Sequence, residues 1–293
     1  MTVAPAMTAD QIRAAAADVD LGARADAILN AALPAIRLKP TPAAGTFPEG
    51  VSRFGGLPDL ASGQRWPSTA SGPLAFVAQI NLAAVRASAA GRDLPETGLL
   101  SFFFDPTQAH WGFDPKDAGH AAVLYAPAGP YRRAEPPANL DEGGRFVECG
   151  IAFHERLTLP SPDSTAFTEL GLAPEQREQY LSLIDAIREH GSFEGEGCSW
   201  LLGHADPVQD GSMQEECALV TGGLYCGEGP PITDPRHRIL ARRASDWRLL
   251  LQVASEEAAG MMWGDLGSLY YWIRHEDLAA ARFEASWTIV QCF

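Results

Sequence analysis

"GMMWGDLGSLYYWIR", residues 260–274, places two Met, two Trp, two Tyr and three Gly around a single Asp. In an extended chain, Ser268, Tyr270 and Trp272 point one way, and Leu269, Tyr271 and Ile273 point the other. Both faces are largely apolar, so the segment predicts a strand covered on both sides. "GMMW" is the expected partner, with Gly264, Asp265 and Gly267 forming the bend. The aromatics then belong mainly to a core, and the carboxylate lies where the chain turns.

Working outward, the same grammar occurs twice. The first half reads "GGLPD", then "LAFVAQINL", a turn, and "GLLSFFFD"; the second reads "LGHADP", then "WRLLLQVAS", a turn, and "GSLYYWIR". Gln79 and Gln252 occupy matching points in their strands, and Gly98 and Gly267 open the aromatic strands that follow. This echo predicts a mainly β (α+β) protein in which a duplicated β unit forms two related sheets, or two halves of one, around one core. The pseudo-repeats span about 50–130 and 195–293, joined by residues 131–194. Residues 36–293 then form a single domain, and residues 1–35 a helical appendage.

Other segments fill in this plan. Thr8 and Gln11 have capping-box spacing at the head of an Ala-rich helical stretch, which Asp20 and Gly22 divide and Pro34 ends. "AIRLKP" reads as an entering strand. "HAAVLYAP" follows a Pro/Gly/Asp-rich stretch from Asp105 to Gly119, and residues 126–145 read as a surface connection. "PEQREQYLSLIDAIREHG" is the clearest helix, about 175–190, with Tyr180, Leu183, Ile184 and Ile187 in one apolar stripe expected to pack on a sheet. The final strand, "SWTIVQCF", must be paired and covered, because an exposed apolar edge invites aggregation.

Composition excludes several functions. Thirty-seven acids against 22 bases give a net charge of −15. Such a surface repels phosphate backbones, so nucleic acid is not an expected partner and neither is an anionic membrane. A basic protein or a cationic ligand would be attracted. No run of apolar residues is long enough to cross a membrane. The N-terminus lacks signal-peptide character, and five cysteines without a Cys-x-x-Cys read as reduced thiols in a cytoplasmic protein.

The ordered blocks "GGLPDL", "RWP", "PLAFVAQINL", "LPETGLLSFFFD", "WRLLLQVAS", "GMMWGDLGSLYYWI" and "DLAAARFEASWTIVQC" resemble the bacterial YwqG-like domain of unknown function. The resemblance covers roughly residues 50–293 and implies a mainly β, duplicated, cytoplasmic fold. It implies no activity. The chain departs from the pattern where Ser199 and Trp200 stand in place of a His before Leu-Leu-Gly, and where Ala205 replaces Pro. Any role of that His would fall to His204.

Catalytic and cofactor signatures are missing from the sequence. There is no Gly-x-Ser-x-Gly elbow, no dinucleotide or Walker glycine pattern, and no cysteine in a reactive signature, so no cofactor is expected. The acidic loop with His204, Asp206 and Asp210 is the one metal-like feature, but as a calcium loop it fails at Val208 and Cys217. The glutamines are more informative. Gln79, Gln209 and Gln252 interrupt or flank apolar strands, and a buried amide left unpaired costs about 1–3 kcal/mol. They tie loops to the sheet, or they line a polar pocket with Trp66, Trp263 and Asp265. The expected function is a non-catalytic module binding an unknown small molecule or protein, with the net charge favouring a basic partner. The alternative is a metal-assisted hydrolase using residues 204–216 with Asp265.

Overall fold

The computed structural model describes residues 8–43, 45–127, 129–191 and 198–293. Two helices, α1 (Ala9–Asp18) and α2 (Ala25–Ala31), open the chain. The Thr8 side chain accepts from the Gln11 backbone, and the Gln11 side chain accepts from Thr8, so the capping box is complete. Asp20, with a φ of 61°, turns the chain between the helices. Ile12, Ala16 and Ile28 pack with Tyr180, Leu183 and Ile187 of α3 (Pro174–Gly191) in a small core of their own. The apolar stripe of α3 therefore meets α1 and α2, whose complementary faces would otherwise be wetted, as well as Leu157 at the end of the strand Cys149–Thr158.

The main body is one sheet of ten strands: β1 (Leu33–Thr41), β2 (Arg53–Phe54), β3 (Ala75–Asn81), β4 (Leu99–Phe104), β5 (Ala121–Ala126), β6 (Cys149–Thr158), β7 (Trp200–Leu201), β8 (Trp247–Ala254), β9 (Ser268–Arg274) and β10 (Trp287–Gln291). Their order is β10-β9-β8-β7-β1-β6-β2-β3-β4-β5, and every neighbouring pair is antiparallel. A long central pair, β1 with β6, thus separates two four-stranded wings. The expectation of two related sheets is corrected to a single continuous one. It is continuous because β1 bridges β6 and β7, pairing Ile36 with both Glu155 and Leu201.

The wings face each other. The Phe102 and Tyr271 rings meet edge to face at 5.2 Å, and the Tyr271 hydroxyl donates to the Phe103 carbonyl at 3.2 Å. One apolar cluster runs through both wings, including Val77, Phe102, Leu251 and Tyr271. β9 is buried from Ser268 to Ile273, as its two apolar faces require. Its partners are β8 and β10, not "GMMW". The residues from Gly260 to Gly267 instead form a tight loop in which the Ser255 hydroxyl accepts from Trp263 and donates to the Gly267 carbonyl.

β10 lies at an edge of the sheet. The chain at Trp111 and Gly112 covers it: Val290 N–H donates to the Trp111 carbonyl at 3.0 Å, and the Trp287 indole donates to Gly112 at 2.8 Å. Gly112 has a φ of 89°, and a Cβ there would lie 2.0 Å from the Thr288 carbonyl oxygen, so only glycine permits this approach. Among the described residues, no helix is long and apolar enough to cross a membrane.

Candidate functional site

The two wings use the same device to hold a loop. In one, β2 pairs Arg53 with Gln79 of β3. The Gln79 amide accepts from Asp59 N–H at 2.9 Å and donates to the Val51 carbonyl and the Asp59 carboxylate, both at 2.7 Å. In the other, β7 pairs Trp200 with Gln252 of β8. The Gln252 amide accepts from Asp206 N–H at 2.9 Å and donates to the Cys198 carbonyl at 2.8 Å. Ser52 and Ser199 hydroxyls accept from Asn81 and Ala254 N–H in corresponding places. Both glutamines are buried, and apart from the Gln79 bond to the Asp59 carboxylate they spend their polar atoms on backbone.

The loops so held have different fates. Asp59 is sealed under Arg53 and Arg133, at 2.8 and 2.6 Å from its two oxygens. Burial pushes the Asp59 carboxyl up, but hydrogen bonds from Arg53, Arg133 and Gln79 outweigh it and lower its pKa to about 2. The second loop, residues 203–210, forms the rim of an open cleft. Gly203 enters it with a φ of 78°, and a Cβ there would press on Ala35 and Thr158 at 2.6 Å. The Tyr270 hydroxyl donates to the Asp206 carbonyl at 2.8 Å and accepts from Val208 N–H at 3.1 Å. Gln291 accepts from Gln209 N–H and donates to the Asp210 carbonyl. β8, β9 and β10 each contribute one polar side chain that fixes this rim.

The cleft has a volume of about 270 Å³. That is room for several waters or one small ligand. Leu181, Ile184 and Ile187 of α3 give it an apolar wall, opposite Arg156, Trp200, His204, Asp206 and Gln209. The Arg156 guanidinium lies 4.9 Å from the centre of the Trp200 ring, and its buried Nε has no hydrogen-bond partner. His204 Nε2 donates to the Ala31 carbonyl at 2.8 Å, which assigns its proton to that nitrogen. Burial lowers the His204 pKa more than this bond raises it, so the ring is neutral near pH 7.

The structure separates the remaining candidates. Of the six ligand-binding residues anticipated from sequence, only Gln209 lines the cleft. Trp66 donates to the Leu74 carbonyl and meets Phe103 edge to face in the other wing. Trp263 is buried against Phe104 and Phe146 and donates to the Ala254 carbonyl. Asp265 is exposed, its carbonyl accepting from Phe293. Asp210 is also exposed, and its carboxylate accepts from Ser212.

Among the described residues, one group brings three metal-ligating side chains within 4.8 Å of one another, and it is Asp105, His110 and His120. His204, Asp206 and Asp210 are not in it. Sequence patterning places Asp105 and His110 in a Pro/Gly/Asp-rich connection and His120 at the head of a strand, and so does not bring the three together. The signal was there: two of the seven histidines and three aspartates within "DPTQAHWGFDPKDAGH", residues 105–120. Their Asp-x4-His-x9-His spacing matches no standard ligand pattern.

A family model, the domain of unknown function DUF1963, matches residues 52–292. The chain belongs to the DUF1963 family. The DUF1963 match takes in both wings and β6, and it leaves out α1, α2 and β1. No curated protein matches the chain.

Proposed function

We propose that this DUF1963 chain is a non-catalytic ligand-binding module, YwqG-like within its family, whose site is the cleft between α3 and the 203–210 loop. The observation that carries the reading is the rim itself. Three buried polar side chains on adjacent strands hold an irregular loop in one conformation, and preorganisation of that kind favours binding. The parallel Gln79 and Gln252 brackets support treating the wings as a duplicated unit, one copy sealed by ions and the other left open.

The lining defines the ligand class. The Arg156 guanidinium, stacked on Trp200 in the cleft lining, suits a carboxylate or other acceptor. The α3 wall suits an aliphatic or aromatic group. A molecule of amino-acid or short-peptide size with both polarities fits the volume. Five free cysteines and the acidic composition favour a cytoplasmic setting.

The test is a thermal-shift screen of amino acids, dipeptides and small carboxylates, followed by calorimetry. Binding should weaken about tenfold or more in Arg156→Gln, the order expected on losing one charge-assisted hydrogen bond. Turnover of a bound compound, or affinity indifferent to Arg156→Gln, would remove the proposal.

A further inference from the structure

Asp105 follows β4 directly and His120 immediately precedes β5, and Asp105 N–H donates to the His120 carbonyl at 2.9 Å. The ends of the 105–120 loop are thus pinned together. His110 Nδ1 lies 2.5 Å and His120 Nδ1 3.5 Å from the same carboxylate oxygen, Asp105 Oδ2. The two rings stack with centroids 3.3 Å apart and planes 20° from parallel. His120 Nδ1 is buried and makes no hydrogen bond. A buried ring nitrogen without a hydrogen-bond partner, set beside a carboxylate and a second imidazole, is an arrangement that an ion held by all three groups would satisfy.

We infer that Asp105, His110 and His120 bind one divalent first-row transition-metal ion. Two imidazoles with one carboxylate suit zinc or its neighbours rather than calcium or magnesium, which prefer oxygen. Tetrahedral bonds of about 2.0–2.2 Å separate ligand atoms by roughly 3.4 Å. His120 already stands at that separation from Asp105, while His110 needs to open by about 1 Å and one ring to rotate out of the stack, because the in-plane lone pairs of near-parallel rings do not converge on one ion. Thr107 N–H donates to Asp105 Oδ1 at 2.9 Å, and the Thr107 hydroxyl lies 2.8 Å from both carboxylate oxygens, which orients the group. A small cavity of about 20 Å³ adjoins the histidines, bounded by Gly112, Asp117, Trp287 and Thr288. It has room for one water beside the two histidines. The same loop covers β10 through Trp111 and Gly112, so an ion there would brace the loop that joins one wing to the other.

The experiment uses the full chain, stripped with chelator and titrated with zinc by calorimetry, and with cobalt as a visible-absorption probe. One ion per chain is expected, with a cobalt band typical of a low-coordinate N/O site. The Tm should rise by roughly 5 °C at a hundredfold excess over Kd. His120→Asn should weaken binding at least about 100-fold, beyond the loss typical of removing an outer hydrogen-bond partner. His154→Asn, a histidine on β6, should bind like the wild type. No stoichiometric uptake by the wild type would overturn the inference. So would uptake undiminished in both His110→Asn and His120→Asn, because the ion would then lie elsewhere.

Discussion

Gln79 and Gln252 each replace a stretch of ladder with one side chain, and each would leave buried backbone groups orphaned if lost. Gln79→Leu strands Asp59 N–H and the Val51 carbonyl; Gln252→Leu strands Asp206 N–H and the Cys198 carbonyl. Each should cost about 2–4 kcal/mol, measured by urea unfolding, as expected for two unsatisfied groups apiece. Only the second should also disturb the cleft. Asp59 makes stability depend on acid. Its folded pKa of about 2 lies below the ordinary 3.8, so its contribution is full above about pH 4 and is lost as pH falls toward 2. The loss should be on the order of 2 kcal/mol, and Asp59→Asn should abolish that pH dependence. Glu216 behaves in the opposite sense. Burial, then Asp210, raises its pKa from 4.5 to about 7, and its Oε2 is buried without a partner. Stability from this group is greatest below pH 4.5 and declines until pH 7. Glu216→Gln should therefore raise the Tm at pH 8 and leave it nearly unchanged at pH 4.

Among the elements, sequence patterning revealed those whose burial it encodes directly. β3, β4, β8 and β9 are nearly continuous apolar runs, buried along almost their whole lengths, and the capping box of α1 is a local signal. β6 was not legible, because "CGIAFHERLT" mixes charged and apolar residues and is only half buried over most of its length. The "entering strand" β1 proved central for the same reason: nothing local says which strands will flank it. The site was legible only in part. Gln252 and Gln209 were recognisable as polar residues in apolar settings, but Arg156 and Trp200 converge from distant segments. His110 and His120 are gathered by a loop whose shape depends on β10. That dependence can be tested at Gly112. Gly112→Ala places a methyl group against the Thr288 carbonyl and should lift the loop from the edge strand. The expected outcome is a loss of roughly 2 kcal/mol or more and light scattering on warming, as β10 becomes available for pairing.

At the scale of the molecule, the N-terminal helices brace the cleft without lining it. α1 and α2 bury the face of α3 that steadies the cleft wall, and Ala31 holds the His204 ring. Deleting residues 1–31 should expose that apolar surface and lower the Tm. It should also weaken any cleft ligand, a combination readable by calorimetry on the truncated chain. The position of β1 carries a different consequence, for the order of events during synthesis. Leu33 pairs with Thr158 and Ile36 with Leu201, so the strand that leaves the ribosome early waits for partners made much later. Until then both its edges are bare, and the nascent chain has a long interval in which a holding chaperone would find work.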